Sequence, residues 1–389
     1  MALNFKKVTF VIGLSLSVIV ICSVLYVFIV GFEQQNNDVV RPGRFSDASL
    51  KFVTVLFRHG NRAPMLKYKT DPHKNAFPEG LMELTKKGKH NMYKKGQLFR
   101  RLYNGFLSDL YLDREILTKT TNSSRTFMSA AMVLAGMYPP KNYQKWSNSE
   151  TVWQPIPIYS NSPDLGNLFG KMGICPSIDS FIANLPQKIG YSTDKNITAL
   201  ISFLSENCGQ PITDEKVFLM YDLFLCQIAD GLSVPEWIKP YHLATMKSIS
   251  STISESIFEN TNLMKLFVGP LLNEIGLNME SSSNNYNTTR KMHLYAGHDI
   301  SLGMAMRFLG NTIEWPGFGA SLHFHMYYDV TKGYTIKVFY FDRWDNEKGE
   351  EISIPICGNP CKFEDFKKLL INNFSGRWED ECQKIYNDL

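Results

Sequence analysis

The stretch "LKFVTVLF", Leu50 to Phe57, is apolar or β-branched at nearly every position. Successive side chains of a strand point to opposite faces, so a strand with one wet face would alternate apolar with polar residues. This one does not alternate. It is expected as a strand buried on both faces, the situation of a parallel sheet covered by helices. That restricts the chain to a layered α/β fold. Directly after it comes "RHGNRAP", which sets Arg58, His59 and Arg62 at the end of the strand and closes with Gly and Pro. Three cation-capable side chains in five residues repel one another unless an anion lies among them.

The rest of the chain supplies the other layers. "GLMELTKKGKHNMYKKGQLFRRLYNGFL" carries apolar residues at helical intervals with lysines opposite, a helix packed on a sheet. "REILTKTT" is expected as a short strand, followed by a helix over "NSSRTFMSAAMVLAGMY" with Asn or Ser available as its cap. Between about residues 155 and 290 the texture changes to Pro-rich joints and segments at helical spacing, which predicts a largely helical cap inserted in the core. Strand patterns resume with "RKMHLYAG", then a helix over "DISLGMAMRFLG", then "ASLHFHMYYDV" and "YTIKVFYF" joined by a "TKG" turn. No internal repeat interrupts this order.

Residues 1–7 contain two lysines and precede a run from Val8 to Phe32 without a charge. At about 1.5 Å per residue that run could cross a hydrocarbon core of about 30 Å. A cleaved signal usually has a shorter apolar region and small residues at the cut, so an uncleaved signal-anchor is favoured over a cleaved signal. Lys6 and Lys7 favour a cytoplasmic N-terminus, with everything after Phe32 lumenal or extracellular. Residues 33–49 read as a linker, leaving 50–389 as the folded domain. Removing the first 32 residues lowers Lys+Arg from 41 to 39 against 37 acids, a formal net of +2. So small a charge argues against nucleic acid as a partner and makes any anion binding local.

The cysteines agree with a translocated domain. Cys22 lies in the apolar run; Cys175, Cys208, Cys226, Cys357, Cys361 and Cys382 are an even number beyond it, enough for three disulfides. "CGNPC" suits a short disulfide loop better than half of a metal site. N-x-S/T sequons stand at Asn122, Asn196, Asn287 and Asn373.

Arg125 falls in the first turn of a predicted helix, where the dipole disfavours a cation unless the helix end and the arginine together hold an anion. "AGHDISLG" places His298 and Asp299 after another buried-type strand, again at a helix start. Taken singly, Arg125 is better read as an exposed arginine, and a helix cap with a surface histidine accounts for His298 and Asp299 about as well. In open α/β sheets, however, ligands gather beyond the carboxyl ends of strands, so all of them could meet at one edge. Together they form a consistent chemistry. Guanidiniums match the oxygens of a phosphate, a neutral imidazole can attack phosphorus, and a carboxylic acid can protonate the leaving alkoxide and then activate water. His323 and His325 in "LHFHM" share a strand face, and a satisfied buried pair is the expected reading over a metal pair. His73, His90, His242 and His293 have no supporting partners in sequence.

"LFRHGNRAP" resembles the signature of the histidine acid phosphatases, within the phosphoglycerate-mutase-like superfamily, and insect secreted and venom acid phosphatases among them. "FPEGLMELTKKGKHNMYKKGQLFRRLY", "SSRTFMSAAMVLAGMYPP", "YAGHDISLG", "VWQPIPIYS", "GASLHFHMYYDV" and "IPICGNPC" extend the likeness from about Leu50 to the end. The resemblance implies a three-layer α/β/α sandwich with a mostly helical cap. It implies acid-optimal hydrolysis of phosphate monoesters without metal or other cofactor, commonly by a homodimer. Carried over, His59 is the nucleophile, Asp299 the general acid, and Arg58, Arg62, Arg125 and His298 the phosphate contacts. The His-Asp pair, where a mutase has His followed by Ala-Glu, resembles phosphatases and phytases.

The same family pattern implies Cys357–Cys361 and Cys175–Cys382 bridges. Ser321 stands where a family cysteine is usual, which leaves Cys226 without its usual partner and Cys208 as the spare candidate. A glycan on Asn122, three residues before Arg125, would crowd the mouth, so that sequon is expected to stay unmodified. Lysosomal relatives place their span at the C-terminus, and the N-terminal run here counts against a lysosomal assignment. Two alternatives remain to be weighed. One is a phosphatase narrowed to inositol polyphosphates, as in phytases, which would favour a strongly basic pocket. The other is a membrane-tethered phosphate-binding relative of weak activity.

Overall fold

The computed structural model of the protein describes residues 43–147, 152–160, 175–189, 194–284, 290–312, 314–374 and 376–384. The apolar run 8–32, most of the linker and the Asn287 sequon lie outside the described residues. Among the described residues, no helix is long and apolar enough to cross a membrane.

Among the described residues, eight strands form a mixed sheet between two helical layers. The strands are β1 (Leu50–Arg58), β2 (Ile116–Thr120), β3 (Tyr159–Ser160), β4 (Met292–Gly297), β5 (Ser321–Asp329), β6 (Gly333–Phe341), β7 (Glu350–Ile352) and β8 (Cys361–Lys362). Their order is β3-β2-β4-β1-β5-β6-β7, with β8 also on β6. From β3 to β1 the pairing is parallel; from β1 onward it is antiparallel. Thus β1 is central, and the absence of alternation in its sequence follows from cover on both faces. Phe52 and Leu56 point into one core, Val53, Val55 and Phe57 into the other.

The second core lies under α1 (Lys86–Leu102) and α2 (Ser124–Met137). Thr85 caps α1, its Oγ1 accepting from Gly88 N at 3.1 Å. The two helices lie so close that a Cβ on Gly96 would stand 2.0 Å from the Val133 carbonyl oxygen. A Cβ on Gly88 would stand 2.1 Å from the Asn61 carbonyl oxygen, so the first turn of α1 is pressed onto the loop that follows β1.

The other core is covered by helices from two parts of the chain. Between β3 and β4 come α3 (Pro176–Ile189), α4 (Lys195–Cys208), α5 (Asp214–Asp230), α6 (Pro240–Glu259), α7 (Thr261–Phe267) and α8 (Gly269–Asn284). After β4 come α9 (Asp299–Phe308), α10 (Phe363–Phe374) and α11 (Trp378–Gln383). Cys175–Cys382 ties the start of α3 to α11, and Cys357–Cys361 closes the short loop before β8.

The third expected bridge is absent: Cys208 and Cys226 are both free, buried thiols. They face different neighbours. Cys208 ends α4 within the field of Asp71, while the Cys226 sulfur lies 3.4 Å from Arg62 Nη1. Burial first, then the adjacent carboxylate, pushes each thiol up to about 12, which leaves both unreactive.

Candidate active site

The parallel strands β1, β2 and β4 end at the same edge, and the candidate residues follow those ends. His59 N donates to Gly297 O across the β1–β4 pair, so the two histidine-bearing turns are locked in register. The rings of His59 and His298 stand edge to face, 5.6 Å apart. Arg125 enters from the first turn of α2, and its Nη2 lies 3.4 Å from His298 Nδ1. Ser129, one turn further along α2, accepts from Gly60 N and donates to Arg125 O, which fixes the loop against the helix. All six residues read from the sequence therefore meet at one edge of the sheet.

Each histidine has a defined tautomer. His59 Nδ1 lies 2.8 Å from the Gly60 carbonyl oxygen, which can only accept, so Nδ1 carries the proton and Nε2 the lone pair. Arg125 can only donate, so His298 Nδ1 is an acceptor and its Nε2–H goes to Thr121 Oγ1 at 3.1 Å. Thr121 in turn is 2.7 Å from Thr126 Oγ1, which donates to Ser123 O. Burial, then Arg58 and His298, hold His59 well below the ordinary imidazole value. Burial, then Arg125, pull His298 down to about 4. Both rings are therefore neutral in mildly acidic solution.

Arg58 and Arg62 are buried and partly committed, and Arg125 is half-buried. Arg58 is 5% exposed, lies over the Phe318 ring at 4.2 Å, and donates to Pro316 O and to Asp299 Oδ2, each at 2.6 Å. Arg62 forks onto Asp222 of α5 at 2.7 and 3.0 Å. Burial lowers Arg58, with Asp299 opposing it, whereas for Arg62 the pairing with Asp222 outweighs burial and raises it. Burial raises the Asp299 carboxyl, but Arg58, Arg62 and His298 together bring it below its ordinary value. Asp299 is thus a carboxylate.

Among the buried side-chain atoms of the described residues that lack a hydrogen-bond partner, two lie at this edge: Nε of Arg58 and Nε of Arg125. Burying a guanidinium N–H without an acceptor is costly. Their presence at this edge fits a site made for an oxyanion.

Sequence reasoning missed Asp222, Ser129, Thr121 and Phe318. Asp222 left one signal, a lone carboxylate within the apolar stretch "FLMYDLFLC". His323 and His325 are a satisfied pair: Tyr103 Oη lies 2.5 Å from His323 Nδ1 and 2.9 Å from His325 Nε2. Ser321 and Tyr327 take up the outer nitrogens, so Ser321, at the expected cysteine position, serves this chain of hydrogen bonds.

Residues 49–341 match the family model described as histidine phosphatase superfamily (branch 2). The chain belongs to that superfamily. Among curated relatives, the lysosomal acid phosphatase of Xenopus laevis is 31% identical over 346 residues, covering 86% of this chain and 79% of the relative. The prostatic acid phosphatase of Mus musculus is 28% identical, covering 90% and 93%. Among solved structures, a Hafnia Alvei phytase in complex with tartrate superposes with a TM-score of 0.62 at 16% identity, covering 87% of this chain and all of that one. That likeness concerns the fold, the α/β/α sandwich of the histidine phosphatases.

Proposed function

We propose that the protein is an acid phosphatase, a phosphoric monoester hydrolase that works through a phosphohistidine on His59. The observation that carries this reading is the His59 Nε2 lone pair, fixed by the Nδ1–H bond to Gly60 O, at an edge shared with Arg58, Arg62 and Arg125. Nε2 attacks phosphorus while the ester P–O bond breaks. Arg58 and Arg125, each with an unpartnered Nε, hold the equatorial oxygens. Arg62 adds positive charge from its fixed pairing with Asp222, and His298 adds a contact beside Arg125.

Asp299 must be protonated to act. The incoming dianion supplies the cause, because it competes for Arg58 and so removes the main influence that lowers the carboxyl. The proton passes from Asp299 to the leaving oxygen. In the second half, Asp299 takes a proton from water, the water oxygen attacks phosphorus, and the N–P bond breaks to return neutral His59. Because His59 is held neutral, attack continues in acid, where an ordinary imidazole would be protonated.

The family reading also supports a translocated domain with a homodimeric assembly, anchored by residues 8–32 or released from them. Asn122, Asn196 and Asn373 are exposed. Use of Asn196, Asn373 and Asn287 as glycan sites is part of this proposal, while Asn122, three residues before Arg125, stays unmodified.

The test is rapid acid-free quenching during turnover of an aryl phosphate near pH 5, with chelator present. A phosphohistidine mapped to His59 is expected in the wild type, and neither adduct nor turnover in His59→Ala. Unchanged turnover in His59→Ala would sink the mechanism.

A further inference from the structure

The lip of the pocket carries a carboxylate that the catalytic steps do not use. Glu83 sits between α1 and the signature loop and is held from several directions. Its carbonyl accepts from Ala63 N at 2.8 Å, and Arg62 and Leu84 form an isolated antiparallel bridge. The preceding Met82 has φ +64, a left-handed conformation that costs a non-glycine residue about 1 kcal/mol. The side chain is fixed as well: both carboxylate oxygens accept from Ser124 Oγ, at 2.8 and 2.6 Å. Ser124 directly precedes Arg125, and Glu83 bears electrostatically on that arginine. Two apolar side chains near it in sequence, Leu81 two residues before Glu83 and Phe127 three after Ser124, are exposed.

The charges then balance. Three guanidiniums (Arg58, Arg62, Arg125) face three carboxylates (Asp299, Asp222, Glu83), and both histidines are neutral. One phosphate dianion can be accommodated, because Asp299 gives up Arg58 on taking its proton. A second anionic group on the same substrate would meet the Glu83 carboxylate beside Arg125.

Accordingly we infer that Glu83 is a specificity-determining residue: fixed by Ser124 beside Arg125, it selects monophosphates whose alcohol half is apolar, aromatic or cationic and turns away polyphosphorylated substrates. The inference rests on the acid phosphatase reading and narrows it. A charge about 7 Å from a second phosphate at a protein surface changes relative turnover by about tenfold.

The experiment compares kcat/KM for 4-nitrophenyl phosphate and for myo-inositol hexakisphosphate at about pH 6, in the wild type, Glu83→Gln and Glu83→Asp. The ratio of hexakisphosphate to aryl phosphate turnover is expected to rise about tenfold in Glu83→Gln and to stay low in Glu83→Asp. In the wild type the same ratio is expected to rise as salt goes from about 0.02 M to about 0.5 M, because screening weakens the repulsion. A basic pocket would show the opposite salt trend. A ratio unmoved by Glu83→Gln, or a wild-type ratio that falls with salt, overturns the inference while leaving the phosphatase reading standing. Should Glu83→Gln fail to fold, the wild-type salt trend decides alone. Hydrolysis of neither ester by the wild type overturns both readings together.

Discussion

His59 and Asp299 show how neighbouring groups on one edge are prepared for opposite tasks. Burial and three arginines keep the imidazole neutral, while Arg58 keeps the carboxylate charged until a phosphate displaces it. Asp299→Asn is therefore expected to slow release of poor leaving groups by about 100-fold or more and good ones far less, since only the former need a proton. A leaving-group series of substituted phenyl and alkyl phosphates measures this, and equal losses across the series would remove Asp299 as the acid. His293, on β4 away from the site, gives a second residue-scale prediction. Burial, then Lys119 and Arg290, lower it to about 3, and its Nδ1 has no partner. Between about pH 6.5 and 3 the unfolded chain binds a proton that the folded chain refuses, so stability falls as pH drops through that window. His293→Phe should narrow the difference in urea stability between pH 7 and about pH 4.5 by on the order of 2 kcal/mol. The chemically active residues were legible in the sequence because each stands in a short motif at the end of a strand or the start of a helix. Asp222 was not, because its role is set by an arginine 160 positions away. Glu83 was hidden for the same reason: nothing local to "LMELT" says that Ser124 will lie beside it.

At the scale of elements, the first turn of α1 holds the signature loop by contact. The Asn61 carbonyl receives Thr85 N at 3.0 Å and passes just above Gly88, where a methyl group has no room. Gly88→Ala must displace the loop between His59 and Arg62, and a shift of an ångström at reacting atoms costs about 100-fold in kcat. Gly96→Ala, two turns along the same helix, meets the Val133 carbonyl instead and strains the α1–α2 contact. Measured side by side, both variants should lose stability, but Gly88→Ala should lose much more kcat than its stability loss explains. Equal kcat in the two would show that the loop adapts. Helix and strand periodicity foretold these elements; the glycines that let them touch could be read only once their partners were known. The expected third disulfide failed for a related reason. Cysteine count gave the number of bridges available, but the direction in which Cys226 points follows from the placement of α5 against Arg62.

For the whole molecule, the long-range constraint is Cys175–Cys382, which closes a loop of 207 positions from the first helix after β3 to the last helix described. In the chain-entropy account a loop of that length contributes about 5 kcal/mol. Cys382→Ser should lower urea stability by an amount of that order, and should bring Cys175 into reach of thiol reagents. The same global view fixes a direction. Gly43 and Phe45 hydrogen-bond to Asn104 and Leu102 at the carboxyl end of α1, beside the start of β1. The catalytic groups lie at the other end of that strand, about 30 Å away by strand rise over its length. The point where the described chain begins and the catalytic edge therefore face opposite poles of the sheet. An ester arriving from the surrounding fluid thus meets the catalytic edge at the pole farthest from Gly43, and a group attached there would leave the mouth clear.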